Sequence, residues 1–148
     1  RFTDSVAGNY GPTEWNASGD PHATAIVFGA PVRMHRSLGL DVTSRVSMDA
    51  ELFRKTFAAS EIFRPVLDFA EVWFRDWKGT TFHDPLAAVT IFEPSVCRFE
   101  RGEARIALSE GEMPGRTLWT PAASGGRHEI GNEIDPERFF DHFISVCV

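Results

Sequence analysis

Lysine is nearly missing from this chain: Lys55 and Lys78 are the only two, and the other thirteen basic residues are arginines. Against these fifteen bases stand twenty-one acidic residues, for a net charge of −6 and a pI near 5.3. A nucleic-acid groove wants clustered Lys and Arg, so no nucleic-acid partner is expected. No apolar run approaches the ~20 residues of a membrane helix, and no signal-peptide pattern opens the chain. A cytoplasmic protein with no membrane partner is the expectation. Cysteine is scarce too: Cys97 and Cys147 are far apart and match no metal spacing. Two buried free thiols are expected rather than a disulfide. There is no repeat, no low-complexity tract and no initiator Met. "RFTDSVAGNYGP" reads like the middle of something longer, whereas "ERFFDHFISVCV" reads like a natural last helix. An incomplete polypeptide is therefore expected.

What is present suits one domain of ordinary size. Of 148 residues 43% are apolar, and thirteen Phe and four Trp promise an aromatic core. Residues 1–19, rich in Gly, Ser, Thr and Asn, read as loop. Asp20-Pro21 opens a short apolar helix that Gly29 and Pro31 stop. Residues 32–40 read as a strand, and Ser47 or Asp49 caps a helix running to about Ala59. Residues 60–77 read as a longer helix, with Ile62, Val66, Phe69, Ala70, Trp73, Phe74 and Trp77 on one buried face. Pro65 is tolerable near its start, and Gly79 ends it. "SVCRFERGEARIAL" reads as a hairpin turning at Arg101-Gly102-Glu103. "GRTLWTP" reads as a strand, "SGGRHEIGNEI" as a loop and short strand. Asp135-Pro136 opens a final helix with Phe139, Phe140, Phe143 and Ile144 inward. Helices mixed with strands throughout give an α/β layer structure.

Two stretches carry chemistry-bearing residues. In "TFHDPLAAVTIF" His83 stands beside Asp84 and Pro85 at the start of an apolar helix. Asp-Pro recurs at 20–21, 84–85 and 135–136, each time before an apolar helical pattern. The plain reading of each Asp is an N-cap worth roughly 1 kcal/mol. The alternative for His83 is a proton donor at a loop-to-helix junction, where such groups often sit. The other four histidines have no partner at a recognisable ligand spacing. In "GNYGPTEWNASGDP" one Gly-rich stretch holds Asn9, Glu14 and Asn16. A carboxylate and two amides so placed can bond the hydroxyls of a sugar; the plain reading is a polar loop with Asx turns. In extended backbone Glu14 and Asn16 point one way and Trp15 the other.

"GNYGPTEWNASGDPHATAIVFGAP", "GLDVTSRV" and "HDPLAAVTIFEP", in this order and spacing, resemble the C-terminal half of the inosine–uridine-type nucleoside hydrolase family. The likeness extends to "GRTLWT" and to the final "DPERFFDHFI" helix. It implies an open, mostly parallel α/β sheet flanked by helices, with a small antiparallel hairpin, residues 1–148 forming the C-terminal portion of a single domain. It implies a calcium-dependent enzyme that uses water to split ribonucleosides into ribose and free base. By the match Asn9, Glu14 and Asn16 are ribose ligands, and Trp15 stands near ribose or base where the family usually has Phe. Asp84 binds calcium, and His83 protonates or orients the leaving base. Trp15, Trp73, Phe74 and Trp77 offer stacking surface, although for the last three core packing is the plainer role.

The sequence departs from the family in two places. Its loop is one residue shorter between Asn9 and Glu14. It also lacks the Asp-rich N-terminal motif, of the form D-x-D-x-G-x-D-D, that supplies most calcium ligands and the catalytic base. Calcium takes roughly 6–8 oxygens, so the resemblance implies one ion whose other ligands come from a missing segment or a companion N-terminal polypeptide. An open sheet without its first strands exposes edges that invite pairing, and a homo-oligomer is expected. Alone, the chain is expected to be inactive. The alternative is a non-catalytic nucleoside- or ribose-binding module, or an interaction module, of the same ancestry.

Overall fold

The computed structural model describes residues 13–109, 111, 113–122 and 125–147. They fall into two compact units: one of residues up to 42 together with 97–134, the other of 43–96 with the C-terminal residues from 135. The α/β class read from the sequence is the class observed.

In the first unit the chain begins with α1 (Trp15–Gly19) and α2 (Pro21–Gly29). The helix at 15–19 corrects the expectation of loop up to residue 19. Asp20 caps α2 as expected: its Oδ1 accepts the Ala23 N–H at 2.8 Å, with Pro21 opening the first turn. Strand β1 (His35–Ser37) runs parallel to β6 (His128–Ile134). That strand pairs antiparallel with β4 (Cys97–Ile106), which pairs antiparallel with β5 (Thr117–Pro121). The sheet order is β1-β6-β4-β5, and α2 packs against β4. A hairpin exists, but it joins β4 to β5. No turn falls at 101–103; β4 runs straight through it. Gly102 is there for close approach: a Cβ would lie 2.6 Å from Cζ2 of Trp119 on β5. Cys97 is buried, and burial pushes its thiol up to about 11.

His128, fully buried on the central strand, is bonded at both ring nitrogens. Nδ1 accepts the Ala104 N–H at 3.2 Å, and Nε2 lies 3.0 Å from the carbonyl of Phe28. His35, its register partner on β1, lies 5.5 Å away ring to ring and 4.5 Å from the Phe28 ring. Burial first, and then repulsion from His128, push His35 below its ordinary 6.5, a bond with the Val27 backbone opposing them. Acid therefore protonates His35 more readily in the unfolded chain. The stability this gives is complete above 6.5 and is lost as pH falls through the lowered folded value. Urea midpoints should drop from pH 7.5 to 5.5, and His35→Gln should shrink the drop; an unchanged drop would remove His35 as its source.

The second unit holds α3's last residue Thr43 (α3, Leu40–Thr43), β2 (Ser47–Asp49), α4 (Ala50–Phe57), α5 (Arg64–Trp73), β3 (Gly79–Thr81), α6 (His83–Phe92) and α7 (Pro136–Ser145). Asp49 caps α4 through Leu52 N, and Asp135 caps α7 through Arg138 N, as the sequence implies. The core is phenylalanine. Phe53 and Phe57, one turn apart on α4, stack at 3.7 Å. Phe63 stacks on Phe57. Phe82 meets Phe139, Phe140 and Phe143 of α7 edge-on at 5.2–5.9 Å. Such pairs add about 0.5–1.5 kcal/mol beyond area burial.

The long helix expected over 60–77 is shorter: a 3-10 turn at Glu61–Phe63 precedes α5, with Pro65 in its first turn. Its apolar stripe is not core. Phe69 is 80% exposed and Trp73 50%, while Val66 and Trp77 are also open to solvent. Of that stripe Ala70 and Phe74 are half-buried, Phe74 lying edge-on to Phe53 at 5.3 Å and beneath the Arg54 guanidinium. Periodicity identifies a shared face but not what the face meets. Cys147 likewise is only partly buried, against the expectation of two buried thiols.

Candidate active site

The His83 side of the site is built by a short ladder. β2 and β3 pair antiparallel, Ser47 opposite Thr81 and Asp49 opposite Gly79. The ladder continues past β3, since the Phe82 N–H donates to Val46 O at 2.8 Å. Phe82 drives its ring into the phenylalanine core and the chain turns at once into α6, with Leu86 N–H reaching back to Phe82 O at 3.1 Å. His83 is thus the first residue of α6, partly buried, held between an anchored aromatic and a helix. The Val46 N–H donates to Thr43 O at 3.1 Å, and that turn lays Thr43 against the histidine. Thr43 Oγ1 lies 2.7 Å from His83 Nδ1.

Asp84 corrects the capping expectation. The N-cap of α6 is Phe82, with no side-chain cap bond, and Asp84 sits inside the first turn, exposed to solvent. The other two Asp-Pro aspartates cap because their helices start at the proline. Here the helix starts two residues earlier. What remains of the plain reading is a carboxylate near the positive helix end, worth about 0.3–1 kcal/mol. Beside α6 an apolar groove of about 440 Å³ runs between Pro85, Phe57, Phe143 and the exposed Phe69 and Trp73. Trp73 and Trp77 stack on each other at 5.3 Å, and Trp73 Nε1 donates to Gly79 O at 3.0 Å.

The sugar-loop residues lie in the other unit. Asn9 falls outside the described residues. Glu14 directly precedes α1, yet its carboxylate does not cap that helix. Both oxygens instead accept the Leu40 N–H, at 3.1 and 3.0 Å, tying the start of α1 to the "GLDVT" segment. This tether fixes the Glu14 carboxylate in place. Trp15 is 78% exposed and Asn16 is exposed. Because residues 15–19 are helical, the alternation expected of extended backbone at 14–16 does not hold. Thr43 was legible as part of a motif but not as a partner of His83; forty residues separate them, and no local spacing signals the contact.

Metal ligation has less to rest on. Among the described residues no three His, Cys, Asp or Glu side chains are grouped as a metal site requires. Among them also no helix is long and apolar enough to cross a membrane.

Comparison with known proteins places these residues in a family. Residues 3–141 match the model described as inosine-uridine preferring nucleoside hydrolase. The chain is 32% identical over 124 residues to "Probable uridine nucleosidase 2" of Arabidopsis thaliana, covering 77% of this chain and 37% of that one. A purine-preferring ribonucleoside hydrolase from Gardnerella vaginalis superposes with a TM-score of 0.70 at 25% identity, over 90% of this chain and 45% of that one. The inosine-uridine preferring nucleoside hydrolase of Bacillus anthracis shares the fold, with a TM-score of 0.68 at 22% identity, over 99% of this chain and 48% of that one. The chain thus spans about half the length of these solved relatives. On the family match, over nearly all of its length, it belongs to the inosine-uridine preferring nucleoside hydrolases.

Proposed function

We propose that the chain is the C-terminal portion of a calcium-dependent nucleoside hydrolase that uses water to cleave a ribonucleoside into ribose and free base. An Asp-rich N-terminal portion, from further residues or a companion chain, would complete it. The observation that carries this reading is the His83-Asp84 pair at the start of α6, in which the exposed carboxylate is not the helix cap and the half-buried imidazole lies against Thr43 Oγ1.

Glycosidic cleavage passes through an oxocarbenium-like state and needs an activated water and a proton for the departing group. In this reading His83 gives a proton to a base nitrogen as the bond to the anomeric carbon breaks, and is left neutral. Glu14 accepts from the ribose hydroxyls, while the amides of Asn16 and Asn9 donate to and accept from them. Trp15 lies beside the sugar or base, and Trp73 offers an exposed ring for stacking. Calcium, when bound, supplies a hard cation for water and the ribose diol. The described residues do not fit that ion by themselves: Asp84 offers one carboxylate where about 6–8 oxygens are needed. The exposed Phe69, Val72 and Trp73 of α5 support association with the completing portion or with a second copy.

The Glu14 tether to Leu40, which joins two segments of the fold, is equally compatible with a second reading, a non-catalytic nucleoside- or ribose-binding or interaction module of the same ancestry. Calorimetry with ribose and inosine, with and without chelator, separates the two once an Asp-rich portion from a relative is added. The hydrolase reading expects chelator-sensitive binding, release of free base, and a higher calcium requirement in Asp84→Asn. Ribose binding that ignores both chelator and Asp84→Asn, with no base released, would establish the second reading.

A further inference from the structure

Gly115, in the connection from β4 to β5, is buried and sits at φ +83°. It lies against the backbone of α1: a Cβ added there would be 2.6 Å from Ala17 O, 2.9 Å from Ser18 Cα and 3.0 Å from Ala17 C. We infer that Gly115 is a positioning residue: the hairpin seats α1 against this bare backbone and so sets where Glu14, Trp15 and Asn16 stand at the ribose. The inference rests on the reading of those three residues as sugar ligands and names what holds them there.

Helix α1 is too short to fix its own position. Its five residues make just over one turn, and isolated helices below roughly 12–15 residues are marginal. Contacts must hold it. At its start both Glu14 oxygens accept the Leu40 N–H. At its end Asp20 closes α1 and caps α2. Between the two, Ala17, only 2% exposed, meets Gly115. The seat is stiffer than what rests on it. Gly115 N–H donates to Ala107 O at 3.0 Å, and the wholly buried Ala107 donates its N–H to Arg116 O at 2.9 Å. These bonds tie the connection to the end of β4. A methyl at 115 would stand well inside the roughly 3.5–4.0 Å of ordinary carbon contact. Helix α1 then has to move away and carry its side chains with it. Positive φ by itself also favours glycine, and two other glycines separate the causes. Gly111, in the same connection, has φ +97° and Gly125 has φ +84°, and a Cβ on either would meet nothing within 4 Å. Alanine at those positions carries the backbone strain alone.

The test uses the full chain labelled with 15N-leucine, in which the Leu40 amide reports the Glu14 tether. Its signal is assigned by its loss in Leu40→Ile. Glu14→Gln should move it, since a charge-assisted bond becomes a neutral one. Gly115→Ala should move it too, while Gly111→Ala and Gly125→Ala leave it in place. Asparagine tolerates positive φ yet brings a Cβ, so Gly115→Asn should act like alanine, and it serves if alanine disturbs folding. In the enzyme completed with the Asp-rich portion of a relative, Gly115→Ala should lower kcat/KM on inosine about tenfold or more, as displaced substrate-holding groups do, against less than about twofold for the two control variants. The loss should shrink on a deoxyinosine lacking a hydroxyl that α1 serves, which a general loss of stability would not produce. A Leu40 signal unmoved by both Gly115 variants, or moved as much by either control, overturns the proposal. So does an equal loss on inosine and on each of its monodeoxy forms. If Glu14→Gln leaves the rate on inosine intact while the Leu40 signal still follows Gly115, the sugar-ligand reading itself has failed and the seat is only architectural.

Discussion

His83→Ala is expected to cost the completed enzyme at least about a hundredfold in kcat on inosine or uridine, roughly 2.7 kcal/mol of transition-state stabilisation. The cause is specific. A purine or pyrimidine leaves poorly as an anion, and without a proton donor the bond to ribose must break almost unaided. A riboside whose leaving group is an acidic phenol needs no such proton, so the same variant should lose far less on it. His83→Gln should resemble alanine in rate, because an amide can bond the Thr43 hydroxyl yet has no proton to give. The fold should survive, since His83 is only partly buried and the packing there is done by Phe82. Near-ultraviolet circular dichroism checks that point. Equal losses on both substrates, or no loss on inosine, would remove His83 from the acid role.

The second large effect is on stability. Phe139 is wholly buried, and its ring contacts Phe82, Phe140 and Phe143 at 5.0–5.9 Å. Phe139→Ala removes those ring pairs and leaves a void that neighbouring phenylalanines cannot fill without leaving their rotamers. Such truncations cost about 3–5 kcal/mol, against a total of about 5–15 kcal/mol for an ordinary domain. Urea unfolding followed by near-ultraviolet circular dichroism should show the midpoint collapsing, and Phe139→Leu should recover much of it. A loss below about 1 kcal/mol, an ordinary surface value, would mean that the phenylalanine cluster is not what holds this unit together.

Sequence patterns were most reliable where the cause is local. Asp20, Asp49 and Asp135 cap the helices they precede, and α7 turns Phe139, Phe140 and Phe143 inward. The same dipeptide misleads at Asp84, because a ladder bond from Val46 and the burial of Phe82 start α6 before the proline can. Tertiary contacts overrode a local signal. Gly102 misleads for another reason: a glycine demanded by the close approach of the neighbouring strand, at the Thr120 carbonyl and the Trp119 ring, is indistinguishable in sequence from one demanded by a turn. The α5 stripe shows a third limit, since a regular apolar face was read as core although its outer residues lie in solvent. For the candidate site, the resemblance singled out His83, Asp84, Glu14, Trp15, Asn16 and Asn9. It offered no hint of the Leu40 tether or of the Thr43 hydroxyl, both of which link residues distant along the chain.

The direct join between β3, Phe82 and α6 has a consequence for anyone wishing to re-engineer this segment. Residue 82 anchors the interior, residue 83 is half-buried against Thr43, and residue 84 is charged and open to water, so adjacent codons answer to unrelated structural demands. Libraries randomised across this tripeptide would mostly return unfolded clones, whereas diversity placed at the solvent-facing rings of α5 would leave the scaffold intact.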